Sequence, residues 1–172
     1  SKGTTAAQGI SGSILGLSVD GASMGTHLVS KAPGESATVA VQINNKSKDF
    51  RGQPIAWPFM VLVSLMDGPI AVFDAQSPEG VAPPASSVGF VASIGVPPAA
   101  PDGKTYDVRA FLLAASSDAT GLPSTTTPFQ VVPPLFTHTN AIRVVVPFGP
   151  SVPSGSINVV DVAQAIMRQL NA

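Results

Sequence analysis

The sequence predicts an all-β protein, a sandwich or barrel of short strands. Three observations lead there. Of 172 residues, 16 are Gly and 17 are Pro, a density that excludes a helical bundle or coiled coil, because Pro breaks the helical ladder and Gly weakens it. Several stretches alternate apolar and polar residues with period two, the signature of a half-buried strand. Those stretches are short and are divided by clusters of Asn, Asp, Gly and Pro, the residues of turns.

The clearest strand is Thr38 to Ile43, with Val39, Val41 and Ile43 on one face and Thr38, Ala40 and Gln42 on the other. Asn44-Asn45-Lys46-Ser47 closes it. Phe59 to Met66 is apolar on both faces, as expected of a central strand covered on both sides. Asp67-Gly68-Pro69 turns the chain, and Ile70 to Phe73 reads as the return strand of a hairpin. A loop rich in Pro, Ala and Ser spans Gln76 to Ser87. Val88, Phe90, Ala92 and Ile94 alternate with smaller residues until Pro97-Pro98. After Asp102-Gly103, the strand Thr105 to Leu113 sets Tyr106, Val108, Ala110 and Leu112 on one face, with Asp107 and Arg109 opposite. Thr127 to Val132 is a further strand, with Pro133-Pro134 as its expected end, and Ile142 to Val146 another.

Two segments are expected to lie outside this body. Residues 1–21 form a Gly-, Ser- and Thr-rich arm with an apolar stretch from Ile10 to Val19. Residues 135–172 form a C-terminal extension that holds the Ile142 to Val146 strand, then a Pro/Gly/Ser linker from Pro147 to Gly155 and the one convincing helix. There Val159, Val162, Ala163, Ile166, Met167 and Leu170 recur at spacings of three and four, Asn158 caps the start, and Asp161 complements the dipole. A helix of about three turns is marginal alone in water, so its stripe must dock on its own domain or on a neighbouring subunit.

Pro33-Gly34-Glu35-Ser36 with the strand behind it and Asn44-Asn45 resembles the opening of bacterial and archaeal immunoglobulin-like domains of the cell-adhesion-related (CARDB-like) type. Val96-Pro97-Pro98 followed by Asp102-Gly103-Lys104-Thr105-Tyr106-Asp107-Val108-Arg109 is similar to their later strand entry, and Phe129-Gln130-Val131 to their terminal strand. The resemblance covers about residues 22–134 and implies an immunoglobulin-like antiparallel β-sandwich. For function it implies only the range of such modules: spacers, adhesins, enzyme appendages and virion parts.

Composition removes several functions. A net charge of −1 excludes a chain drawn in bulk to nucleic acid or anionic lipid. Without cysteine there is no disulfide, thiolate metal site or thiol nucleophile. The longest apolar run, Trp57 to Met66, is too short for a membrane-spanning helix. No signal peptide is visible; Ser1-Lys2-Gly3 suits a cytosolic product that has lost its initiator Met, or a mature chain already trimmed.

Chemistry-bearing residues are scattered. His27 and His138 stand far apart, in no metal-ligand spacing, and read as solvent-facing. No Gly-x-Ser-x-Gly elbow appears. Asp67, Asp74, Glu79, Asp102, Asp107 and Asp118 sit mostly beside Gly, Pro or Ser, where turn formation accounts for them. Lys46, Lys48 and Arg51 around Asp49 read as a solvated loop, and Asn45-Lys46-Ser47 matches the glycosylation sequon. Trp57 and Phe59 read as inner-sheet anchors, with an aromatic sugar platform as the alternative.

The expected protein is therefore not an enzyme and takes no cofactor, metal or small-molecule substrate. Only 11% of residues are charged, against roughly 25% in ordinary domains, and so bare an exterior suits a surface covered by neighbours. The leading expectation is a structural subunit of a repetitive assembly, most concretely a phage virion protein (capsid decoration or tail), made in the host cytoplasm. Its partners are itself or other structural subunits, not nucleic acid or membrane. Ile10, Ile14, Leu15, Leu17 and Val19 in the first arm, and Val159, Val162, Ile166, Met167 and Leu170 in the helix, are the expected interface. The alternative is a secreted or surface-displayed adhesion or carbohydrate-binding module using loops 74–87 and 114–126.

Overall fold

A computed structural model describes residues 9–23, 28–124 and 128–147. They form ten strands: β1 (Gly12–Val19), β2 (Ala22–Ser23), β3 (Val29–Lys31), β4 (Ser36–Asn45), β5 (Trp57–Asp67), β6 (Ile70–Gln76), β7 (Gly80–Ala82), β8 (Ser87–Gly95), β9 (Thr105–Ala114) and β10 (Gln130–Val144). One sheet runs β2-β1-β4-β8; the other runs β3-β10-β9-β5-β6, with β7 also on β5. All pairings are antiparallel except β3 with β10. The described residues thus form an all-β sandwich of two sheets, with no helix among them.

Period two puts the core where alternation places it. Val39, Val41 and Ile43 of β4 are fully buried, as are Phe59, Val61, Val63 and Leu65 of β5 and Val108, Ala110 and Leu112 of β9. Phe90, Ala92 and Ile94 of β8 close the other side. Burying each Val, Leu, Ile or Phe contributes roughly 1.5–3 kcal/mol, so these inner faces dominate the stability.

The structure corrects the two segments placed outside the body. Residues 12–19 are not an arm: β1 pairs with β4 from Gly12↔Asn45 to Val19↔Val39. Leu15 is an extra residue between the Ile14↔Ile43 and Gly16↔Gln42 pairs, and this bulge shifts the inward parity from Ile14 to Leu17 and Val19. Gly12 has no room for a side chain, since a Cβ there would lie 2.8 Å from the Asn44 carbonyl oxygen. The far end of β1 is locked by Asp20, whose carboxylate accepts from the Thr38 amide at 2.8 Å and pairs with Lys31 at 2.6 Å. Burial raises its pKa, but Lys31 and the Thr38 amide together hold it below its ordinary value.

The boundary at residue 134 also moves. β10 runs on through Pro133-Pro134, joined by a cis bond, because the ladder with β9 is interrupted between Val132 and Phe136 and resumes beyond them. Ile142 is therefore the far part of β10, not a separate strand. The expected helix of residues 158–170 lies outside the described residues.

A duplication underlies the fold. A constant spacing carries Gly34 onto Gly103, Ser36 onto Thr105, Val39 onto Val108, Ser47 onto Ser116, Asp49 onto Asp118, Gly52 onto Gly121 and Pro54 onto Pro123. β4 and β9 have matching limits under the same spacing. The entry turns match: the Gly34 amide donates to Val96 O at 3.0 Å and the Gly103 amide to Val144 O at 2.9 Å, while Val96 and Val144 donate back to Glu35 O and Lys104 O. Both glycines have φ of 83°, in the left-handed region that an L-residue enters at a cost.

Candidate interaction surfaces

Two regions stand out. The first is the flank formed by β6 and β8, which lie at one edge of each sheet, the other edges being β2 and β3. Every residue of β6 except Ala75 is exposed. Ile70 is 64% exposed, Phe73 40%, and Val72 and Val91 lie open beside them. The Phe73 ring spans the seam between the sheets, since a Cβ on Gly95 would lie 3.3 Å from it. Asp74, held by the Ser64 hydroxyl, is the single charge in β6. A long, apolar edge presenting unpaired N–H and C=O groups is what proteins ordinarily blunt with charge, Pro or cover; here the visible devices are the irregularity at Val72 and the one charge, Asp74.

The second region is the end of the sandwich where β4 and β9 run out. Each leads into a loop of pattern Ser-x-Asp-x-x-Gly-x-Pro, at 47–54 and 116–123. In the first, the Asp49 carboxylate accepts from the Arg51 and Gln53 amides at 2.8 and 2.9 Å. In the second, the Asp118 carboxylate accepts from the Thr120 and Leu122 amides at 2.8 and 3.0 Å. Hydrogen bonds from the Thr120 side chain and from these amides hold Asp118 below its ordinary pKa. Outward side chains differ: Lys48, Phe50, Arg51 and Gln53 against Ser117, Ala119, Thr120 and Leu122. Phe50 is 57% exposed under the Arg51 guanidinium, and Leu122 62%.

The first loop is bolted in harder. Asn45 is fully buried, and its Nδ2 group donates to the carbonyls of Ile55, Ala82 and Pro83 at 2.9 to 3.0 Å. The sequon is thereby put out of reach, because its acceptor nitrogen faces the interior. Ser47 Oγ exchanges hydrogen bonds with the Ser11 backbone. An open cleft of about 520 Å³ follows, lined by Gly9, Ser11, Lys46, Lys48 and Ala85 among others.

The residues expected at the interface separate. Leu17 and Val19 are core, and Ile10 and Ile14 pack partly buried against it. Only the bulged Leu15, 53% exposed, is available to a partner. Val159, Val162, Ile166, Met167 and Leu170 lie outside the described residues, as does His27. His138 is buried rather than solvent-facing: it pairs with inward Val108, and its Nδ1 has no hydrogen-bond partner. Trp57 is an inner anchor, its indole N–H donating to Ala115 O at 2.7 Å. Asp67 pairs with Lys104 at 2.7 Å, a hydrogen bond that raises the lysine's pKa. Asp102 and Asp107 accept from the Val146 and Asn140 amides. Among the described residues, no three His, Asp or Glu side chains converge to hold a metal ion.

The class these features define is a two-sheet β-sandwich with one unprotected flank and a duplicated loop end. No protein-family model matches the chain, and no curated protein matches it in sequence. Among solved structures, the sporulation control protein Spo0M of Bacillus subtilis is similar over 75% of this chain and 50% of its own, at 10% identity and a TM-score of 0.36. The chain thus spans about half the length of that protein, and the likeness is too slight to bear on family or function.

Proposed function

We propose that the protein is a non-enzymatic structural subunit of a repetitive assembly, in its most concrete form a phage virion protein of the decoration or tail kind. One observation supports this above the rest: β6 is exposed along nearly its whole length and carries Ile70, Val72 and Phe73 with one charge. Edge strands pair with edge strands unless prevented. An antiparallel pair of β6 strands centred on Phe73 sets Asp74 of one copy against Val72 of the other, so no like charges oppose. The immunoglobulin-like lineage belongs to the same proposal, the sandwich serving as the rigid body.

The test is native mass and electron microscopy of the purified chain, compared with Phe73→Lys. The proposal expects discrete oligomers or regular particles from the natural chain and a monomer from the variant. A natural chain that is monomeric at high micromolar concentration overturns it. The second reading, a surface-displayed binding module, draws on the outward Phe50, Arg51 and Leu122 of the duplicated loops. It is favoured instead if the monomer binds glycans or a protein target and Phe50→Ala abolishes the binding.

A further inference from the structure

Three segments meet around the open cleft of about 520 Å³ beside the first loop. Residues 9–11, 44–48 and 83–86 are tied to one another through the backbone: the Lys46 amide donates to Ser11 O at 2.9 Å, the Lys48 amide to Gly9 O at 2.8 Å and the Asn45 amide to Ser86 O at 2.9 Å. Asn45 Nδ2 adds its bond to Pro83 O at 3.0 Å. Ala85 lines the cleft with a φ of 50°, a left-handed backbone that an L-residue enters at a cost. The walls are therefore set before any ligand arrives. Lys46 and Lys48 stand on either side of the buried Ser47 and both line the cleft. No acid occurs in any of the three segments. The ion pairs among the described residues are Asp20 with Lys31 and Asp67 with Lys104, so Lys46, Lys48 and Arg51 are all left unneutralised. Asp49, the next acid along the chain, spends its carboxylate on the Arg51 and Gln53 amides.

The geometry points to a binding site for an acidic saccharide, a sugar that carries carboxylate or sulfate groups among its hydroxyls. The second copy of the loop supplies the contrast. It keeps the same turn with Ala115, Ser117 and Thr120 where the first has Lys46, Lys48 and Arg51, so the cations are not needed to form it. The lining then selects the ligand. The volume falls within the roughly 300–1,000 Å³ of small-ligand clefts, whereas a stable protein partner takes about 800 Å² on each side. Among the described residues that line the cleft, Ala85 has the one apolar side chain and no aromatic ring is present. A greasy anion finds no apolar pocket there and a nucleobase no stacking partner. What the cleft offers is two ammonium groups for anionic substituents, with the Asn44 amide and the Ser11 hydroxyl for neutral ones. Arg51, 5.3 Å from the centre of the exposed Phe50 ring at the loop tip, gives a third cation to a longer chain. None of these residues belongs to β6, so the inference stands or falls independently of the assembly proposal.

Titration calorimetry on the full chain tests this with a heparin-derived tetrasaccharide, tetragalacturonate and the neutral maltotetraose, and with inorganic pyrophosphate as a probe of charge alone. The expected result is saturable binding of at least one acidic tetrasaccharide with a Kd at or below about 1 mM, weakening as salt is raised. Lys46→Ala combined with Lys48→Ser, the residues that the second copy carries at the same places, should lower that affinity by about tenfold or more. Absence of saturable binding overturns the inference. So does an unchanged affinity in the double variant, or maltotetraose or pyrophosphate bound as tightly as the acidic sugars. A second measurement needs no variant: on NMR titration of the natural chain, the backbone amide shifts of Ser11, Lys46 and Lys48 should move most, and shifts centred elsewhere overturn the inference too.

Discussion

The two Ser-x-Asp-x-x-Gly-x-Pro loops share a backbone and differ in almost everything else. Their aspartates, glycines and prolines do the same work at 49, 52 and 54 as at 118, 121 and 123. The first loop adds two buried anchors: Asn45, where the second has Ala114, and the Ser47–Ser11 exchange. It also carries Lys46, Lys48 and Arg51 where the second has Ala115, Ser117 and Thr120. Identity is confined to residues that set the chain's path, so the loop geometry follows from local hydrogen bonding and does not depend on what surrounds it.

That comparison can be broken. Asn45→Ala should cost about 3 kcal/mol, because it strands three acceptors in the interior; urea denaturation measures it, and a loss under about 1 kcal/mol would mean water replaces the amide. Ser47→Ala should cost about 2 kcal/mol and Ser116→Ala about 1, since among the described residues Ser47 serves two backbone groups of Ser11 and Ser116 the Pro128 carbonyl. Gly52→Ala and Gly121→Ala should each cost about 1 kcal/mol. Equal values are expected because both glycines have positive φ, 81° and 87°; unequal ones would show the loops are not equivalent.

The smallest effect is electrostatic. The folded pKa of Asp118 is depressed, so its contribution is present above the unfolded carboxylate value and is lost as pH falls through the folded value. Stability of the natural chain should therefore decline below about pH 4 slightly more steeply than that of Asp118→Asn. Carbon-detected NMR titration should place Asp118 below free aspartate.

Alternation disclosed β4, β8 and β9, and a short run apolar on both faces disclosed β5, because each is regular and flanked by turn residues. It failed at β1, where the bulge at Leu15 changes which residues face inward and makes GSILGLSV read as an irregular arm. It failed again at Pro133-Pro134, where two prolines read as a stop although the strand resumes past them. The duplication was within reach, but its signal lies in the loops: among the paired positions of β4 and β9, Val39 and Val108 are the only identical pair. The β6 flank was not legible, because Ile70 to Phe73 looks like any hairpin return. Edge position is a property of pairing, not of the strand's own residues.

Trp57 is the protein's sole indole, and it closes the first loop while donating to Ala115 at the base of the second. Both copies of the repeated turn therefore share one chromophore. With its ring buried, its emission should be blue-shifted and shielded while the end is closed, which makes it an intrinsic optical gauge: whichever loop loosens first, the same ring should record it, without a label and at dilutions where neighbouring molecules no longer meet.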